Sequence, residues 1–187
     1  MKRLIVGMVA VLALAGCSAG KDAVVQGSSF SFVSPGGKVD ITYDLAQRQT
    51  APVLAGDDLM NEGKQLSLAD FPGKVLVLNL WGQWCGPCRT EAPEMETLAK
   101  EGVQVVGIDV RDPARDVAQD FVRDRGLTYP SIYDPDGRVL LKLTGYPRNI
   151  IPSTIVLDKQ HRVAAVFLRQ VLAQDLRPVV QRLNSEA

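Results

Sequence analysis

The chain has 187 residues, 46% apolar and 22% charged, which suits one globular domain and is too apolar for an intrinsically disordered chain. Lysine plus arginine and aspartate plus glutamate both total 21, so no net charge draws it to nucleic acid. Three cysteines are too few for a disulfide scaffold.

The first residues, Met1-Lys2-Arg3, are basic, and residues 4–15 carry no polar side chain. A charged start and an apolar stretch of about a dozen residues make a secretory leader, shorter than a membrane span. Leu14-Ala15-Gly16-Cys17 resembles the bacterial lipobox, which implies cleavage before Cys17 and lipid on its sulfur. Residues 1–16 are therefore expected to be removed and residues 17–29, small and polar, to form a tether. Residues 30–187 are expected to fold. A tether of this length reaches about 40 Å when extended, which keeps the domain near the outer face of the membrane. Cys85 and Cys88 then remain as the free pair, in an oxidising compartment.

Phe30 and Phe32, then Val39, Ile41 and Tyr43, alternate with polar residues around Pro35-Gly36-Gly37, the pattern of a β-hairpin. Residues 47–62 carry little periodicity and read as loop with one short strand. Phe71-Pro72-Gly73-Lys74 reads as a type II turn. The run from Val75 to Leu80 is a strand buried on both faces. A helix is expected from Gly86 to Lys100, with Pro87 in its first turn and an apolar face of Ala92, Met95, Leu98 and Ala99. Pro93 should kink it.

Residues 103–108 form the next buried strand. Asp112-Pro113 is expected to cap a helix carrying Ala114, Val117, Ala118, Phe121 and Val122, closed by Gly126. Asp134-Pro135-Asp136-Gly137 turns into a short helical segment over 138–144. Strands at 154–157 and 163–168, joined by Asp158-Lys159-Gln160-His161, precede a last helix burying Leu172, Leu176, Val179, Val180 and Leu183. Parallel pairing is expected in the first half and antiparallel pairing in the second.

Trp84-Cys85-Gly86-Pro87-Cys88 lies where a buried strand hands over to a helix. A zinc site needs about four ligands, more than two cysteines and the single His161 supply. A haem attachment motif needs histidine where Arg89 stands. A purely structural disulfide closing so short a loop constrains the unfolded chain little. A redox dithiol fits best. Cys85 at the helix N-terminus becomes the nucleophile, because the unpaired N–H groups there stabilise its thiolate. Cys88, one turn in, resolves the mixed disulfide. Trp81 is expected in the core, and Trp84 over the dithiol in reach of substrate.

The run from Leu78 to Pro93, with Val105-Val106-Gly107-Ile108-Asp109 and Ile151-Pro152-Ser153-Thr154-Ile155-Val156-Leu157-Asp158, resembles exported thioredoxin-like proteins of the TlpA and ResA type. The resemblance covers about residues 66–184. It implies an α/β thioredoxin fold, a central mixed sheet flanked by helices, here with an N-terminal β-hairpin extension and a helical insertion. It implies a cis Pro152 facing the dithiol, with the backbone of Ile151 pairing with the substrate strand.

Where cytosolic thioredoxins carry a buried aspartate, this chain has Asn79, which cannot move a proton. The resemblance gives that task to Glu91, three residues after Cys88. It further implies reduction of the Cys-x-x-Cys-His disulfide of apocytochrome c, or of another exported protein. Re-reduction would come from a membrane thiol-transfer protein of the CcdA type, with no cofactor. The chain is expected to work as a monomer held on the membrane by its lipid. The rival readings are a general disulfide oxidase, a peroxiredoxin-like peroxidase and a non-catalytic partner-binding lipoprotein.

Overall fold

A computed structural model describes residues 30–32 and 34–186; the expected leader and tether, with Cys17, lie outside them. In chain order the strands are β1 (Asp40–Thr42), β2 (Ala55–Asp58), β3 (Gln65–Ser67), β4 (Leu76–Trp81), β5 (Gln104–Val110), β6 (Ser131–Asp134), β7 (Ser153–Leu157) and β8 (Val163–Phe167). Helix α1 (Gly86–Lys100) follows β4, α2 (Arg115–Asp124) follows β5, and α3 (Ala173–Ser185) closes the chain. The strands form one sheet in the order β1-β8-β7-β4-β5-β6-β2-β3. β4, β5 and β6 run parallel to one another, whereas β7 is antiparallel to both β4 and β8, and β2 is antiparallel to β6.

Strand β4 is central because every side chain in it is buried, as a strand covered on both faces must be. Alternation sends Val77 and Trp81 to one face and Leu76, Leu78 and Leu80 to the other. The first face carries all three α-helices, with Met95 and Leu98 of α1, Phe121 of α2 and Leu176 of α3 in one core. Met95 and Leu98 are fully buried, each worth about 1.5–3 kcal/mol relative to exposure. The opposite face is closed by irregular chain: Phe30, Leu54, Leu68, Leu143 and Tyr146 pack there. Arg48 in that segment donates to Asp158 in the β7–β8 turn (3.3 Å) and to Glu186 beyond α3 (2.9 Å), so the N-terminal segment is stitched to the rest.

Three expectations change. The N-terminal extension is present, but among the described residues its arms do not pair with each other. β1 pairs with β8, and Ser31 makes an isolated parallel bridge to Thr144. The alternation reports strand-like chain correctly; the edge of β8 competes better for it than the nearby segment does. Asp112 does not cap α2, whose N-cap is Ala114 with no side-chain bond. The segment expected as helix over 138–144 is a single 3-10 turn, Leu140–Lys142. It belongs to an insertion between β5 and β7 that also holds α2 and β6. Pro93 lies within α1 and does not end it.

Candidate active site

Trp81 ends β4, residues 82–84 turn, and Cys85 becomes the N-cap of α1 in extended conformation. The turn must be tight: a Cβ at Gly82 would run into the Trp84 indole and lie 3.0 Å from the Val110 carbonyl. Cys85 and Cys88 are joined in a disulfide, buried to 4% and 2% exposure. The Cys88 N–H points at Cys85 Sγ (3.2 Å), and the Arg89 N–H donates to the Cys85 carbonyl (3.2 Å). The Cys88 N–H, with the positive end of the α1 dipole, would stabilise a thiolate on Cys85 once the disulfide opens.

Trp81 is buried and stacked on Phe121, with ring centroids 5.2 Å apart. Trp84 is 46% exposed beside the dithiol, an unusual exposure for so large an apolar ring. Its indole N–H donates to the Val110 carbonyl (3.0 Å), and the Arg111 guanidinium lies 5.0 Å over its ring. The Ile151–Pro152 peptide is cis. It leads into β7, whose Ser153 pairs with Leu80 of β4, so it lies at the same end of the sheet as the dithiol turn. Half-buried Ile151 packs against the core cluster that contains both cysteines.

Glu91 is the surprise of the helix. Read alone it is a helical carboxylate of the kind that faces water, yet it is 1% exposed. Its Oε2 accepts from the Asn79 side-chain amide (2.8 Å) and its Oε1 from the Val171 N–H (2.7 Å). Burial pushes its pKa up to about 7, while the Val171 and Asn79 hydrogen bonds and the charge of Arg169 pull the other way. Asn79, unable to carry a proton itself, holds the group that can. The sequence signal for this pair was weak, since Val171 comes from a turn 80 residues downstream.

Two carboxyl groups at the end of β5 hold places at the site that the sequence did not assign to them. Asp112 accepts from the Gln83 N–H (2.8 Å), so it holds the turn that precedes Cys85. Asp109 is fully buried opposite Trp81, and burial, then the neighbouring Asp112 and Asp134, raise its pKa to about 10, with Arg115 opposing. It keeps its proton at neutral pH. An aspartate inside the apolar run Val105-Val106-Gly107-Ile108-Asp109-Val110 was the available signal.

A family model described as the AhpC/TSA family matches residues 47–166. The chain is 33% identical over 144 residues to a thiol-disulfide oxidoreductase ResA of Geobacillus thermodenitrificans, covering 75% of this chain and 79% of that protein. It is 33% identical over 132 residues to a thiol:disulfide interchange protein DsbE of Pseudomonas aeruginosa, covering 68% and 72%. Among solved structures, a secreted thiol-disulfide isomerase from Corynebacterium glutamicum superposes with a TM-score of 0.83 at 51% identity, covering 86% of this chain and all of that one. A DsbF homologue from Corynebacterium diphtheriae gives 0.79 at 49% identity, covering 83% and 99%.

Proposed function

Since the chain belongs to the AhpC/TSA family and is a thioredoxin-fold thiol–disulfide oxidoreductase of the ResA and DsbE type, we infer that it works as a reductant on exported proteins, with Cys85 and Cys88 as its dithiol. The observation that carries this reading is the buried Cys85–Cys88 pair at the α1 N-terminus, one helical turn from a carboxyl group that titrates near neutrality.

In the reduced protein the Cys85 thiolate attacks one sulfur of the substrate disulfide, forms a mixed disulfide and expels the other sulfur as thiolate, which takes a proton. Cys88 then gives its proton to Glu91 and attacks Cys85 Sγ. The second substrate sulfur leaves as thiolate and is protonated. Two electrons pass to the substrate, and the protein ends with the Cys85–Cys88 disulfide. Trp84, Ile151 and Pro152 border the dithiol and form its substrate face. The substrate class is the Cys-x-x-Cys-His disulfide of apocytochrome c, as similarity to the ResA type implies, and a CcdA-type membrane protein returns the electrons.

Secretion of the Corynebacterium glutamicum relative and the leader with its lipobox support work outside the cytoplasm, lipid-anchored through Cys17. Among the described residues no helix is long and apolar enough to cross a membrane.

Trapping tests the reading. Cys88→Ala should accumulate mixed disulfides through Cys85 with c-type apocytochromes in cells, and Cys17→Ala should free the protein from the membrane fraction. Mixed disulfides confined to other exported proteins would remove apocytochrome c as the substrate, and a Cys17→Ala protein held as firmly as wild type would remove the anchor.

A further inference from the structure

The arginines of this chain divide by position. Four of the described ones, Arg89, Arg111, Arg125 and Arg148, have no carboxylate partner among the described residues, whereas every other described arginine stands in an ion pair. All four ring the dithiol end of the sheet. Arg89 follows Cys88, and Arg125 donates to its carbonyl (3.1 Å). Arg111 lies over Trp84 and donates to the Arg148 carbonyl (3.4 Å). Arg148 stands three residues before Ile151. A chain whose charges balance overall has placed unneutralised guanidinium groups at one end.

Two of them line each of two grooves at this end, and the grooves differ in the acidic residues that accompany them. The groove of about 410 Å³ on the α2 side is lined by Arg89 and Arg125 but also by two carboxylates, Asp120, paired with Arg123 (2.7 Å), and Asp124, which stands in no ion pair among the described residues. The groove of about 460 Å³ on the Pro152 side is bounded by Val110 and Arg111 on one wall and Tyr146, Pro147, Arg148 and Asn149 on the other. Its single acidic lining residue, Asp136, is paired with Arg138 (3.3 Å). Arg111 holds φ at 60°, a left-handed conformation that costs a non-glycine residue of order 1 kcal/mol. Strain of this kind persists only where neighbours impose it, and the Arg111 guanidinium lies over Trp84 where the residue lines the groove.

We propose that this groove is a subsite for an acidic side chain, aspartate or glutamate, flanking the target cysteine of an extended peptide substrate, with Arg111 and Arg148 as its cationic walls. Planar guanidinium groups suit carboxylates better than ammonium groups do. The subsite rests on Trp84, Ile151 and Pro152 being the substrate face of the dithiol, since a peptide laid along them passes Arg111 on its way into the groove. It gives the protein a preference among disulfides of equal intrinsic reactivity, acting on encounter and on binding.

The test uses three peptides with one Cys-x-x-Cys disulfide and two glutamates, two glutamines or two lysines beside the first cysteine. With the reduced protein at low salt, kcat/KM should fall in that order, about tenfold from glutamate to lysine, and high salt should compress the range. Arg111→Gln with Arg148→Gln should bring the glutamate-to-lysine ratio within about twofold, and Arg148→Glu should turn the preference toward lysine. Equal rates in the wild type, or a preference that survives these substitutions, would overturn the subsite.

Two further arms separate this failure from that of the dithiol reading. An uncharged small disulfide, bis(2-hydroxyethyl) disulfide, reports whether Cys85 and Cys88 turn over at all. Serine versions of the three peptides, titrated against tryptophan fluorescence, report the subsite without turnover, and the glutamate version should bind tightest. Equal binding of the three serine peptides counts against the subsite even where the small disulfide is reduced.

Discussion

At the scale of single residues, Glu91 is where burial and chemistry meet. In the unfolded chain its carboxyl has the ordinary pKa of 4.5, and in the folded protein about 7. The folded form thus binds the proton more tightly. The stabilisation that follows is complete below about pH 4.5 and is lost as the pH rises through about 7, a change of about 3 kcal/mol for this group. Glu91→Gln keeps the shape and cannot ionise, so its stability should vary less with pH over that window, measured by urea denaturation of the oxidised protein. The same substitution removes a negative charge one turn from the thiols, and the Cys85 thiol should titrate lower in a pH-dependent alkylation series. Losing the proton acceptor should also slow release of substrate from the mixed disulfide. A pH slope of stability equal to that of wild type would show that Glu91 does not hold its proton in the fold.

Among elements, the connection from β5 to α2 braces the dithiol turn. Val110 takes the Trp84 indole N–H, Asp112 takes the Gln83 N–H, and Tyr133 of β6 donates its hydroxyl to the Asp112 carbonyl (2.8 Å). Asp112→Ala leaves the Gln83 N–H without its partner, which costs about 1–3 kcal/mol. We expect that loss in urea denaturation, together with a change in Trp84 fluorescence, and a smaller loss for Asp112→Asn, which keeps an acceptor oxygen. An unchanged midpoint and spectrum in Asp112→Ala would mean the turn holds itself.

This brace also shows where sequence legibility stops. β4 and α1 were readable to within a residue, because a continuous apolar run and a Cys-Gly-Pro-Cys helix start are local signals. β6 was not, since Ser131-Ile132-Tyr133-Asp134 is short, polar at both ends and buried only by its neighbours β5 and β2. Asp112 next to Pro113 satisfies the local pattern of a helix cap, and only the fold reveals that its carboxylate faces the turn 29 residues upstream. The pairing of Cys85 with Cys88 at a helix start, the cis Pro152 and the buried Trp81 were legible as motif or resemblance. The partner of Glu91 was not, because a turn after β8 supplies it.

For the whole molecule, the direction of electron flow is written in which redox form folds more stably. Reduction potential and folding close one thermodynamic cycle: a fold that favours the disulfide makes it harder to reduce than the same pair in an unfolded chain, and every 1.4 kcal/mol of preference corresponds to about 30 mV. Two features of this fold oppose each other. The α1 N-terminus favours a Cys85 thiolate and so favours the reduced form. Against it, both sulfurs are buried, and Glu91, half ionised near neutrality, adds negative charge one turn from Cys88. A buried site that already holds one partial anion is a poor place for a second. The balance therefore favours the disulfide, which is the arrangement a reductant requires. The oxidised protein should accordingly show a higher urea midpoint than the dithiol form at neutral pH, with a potential nearer the −270 mV typical of thioredoxin than the about −120 mV of a strong oxidant. Glu91→Gln should narrow the difference between the two midpoints, because it relieves the charge that disfavours the thiolate. A dithiol form more stable than the disulfide form would reverse the direction, make this protein a donor of disulfides to exported chains, and overturn the proposal that it reduces apocytochrome c.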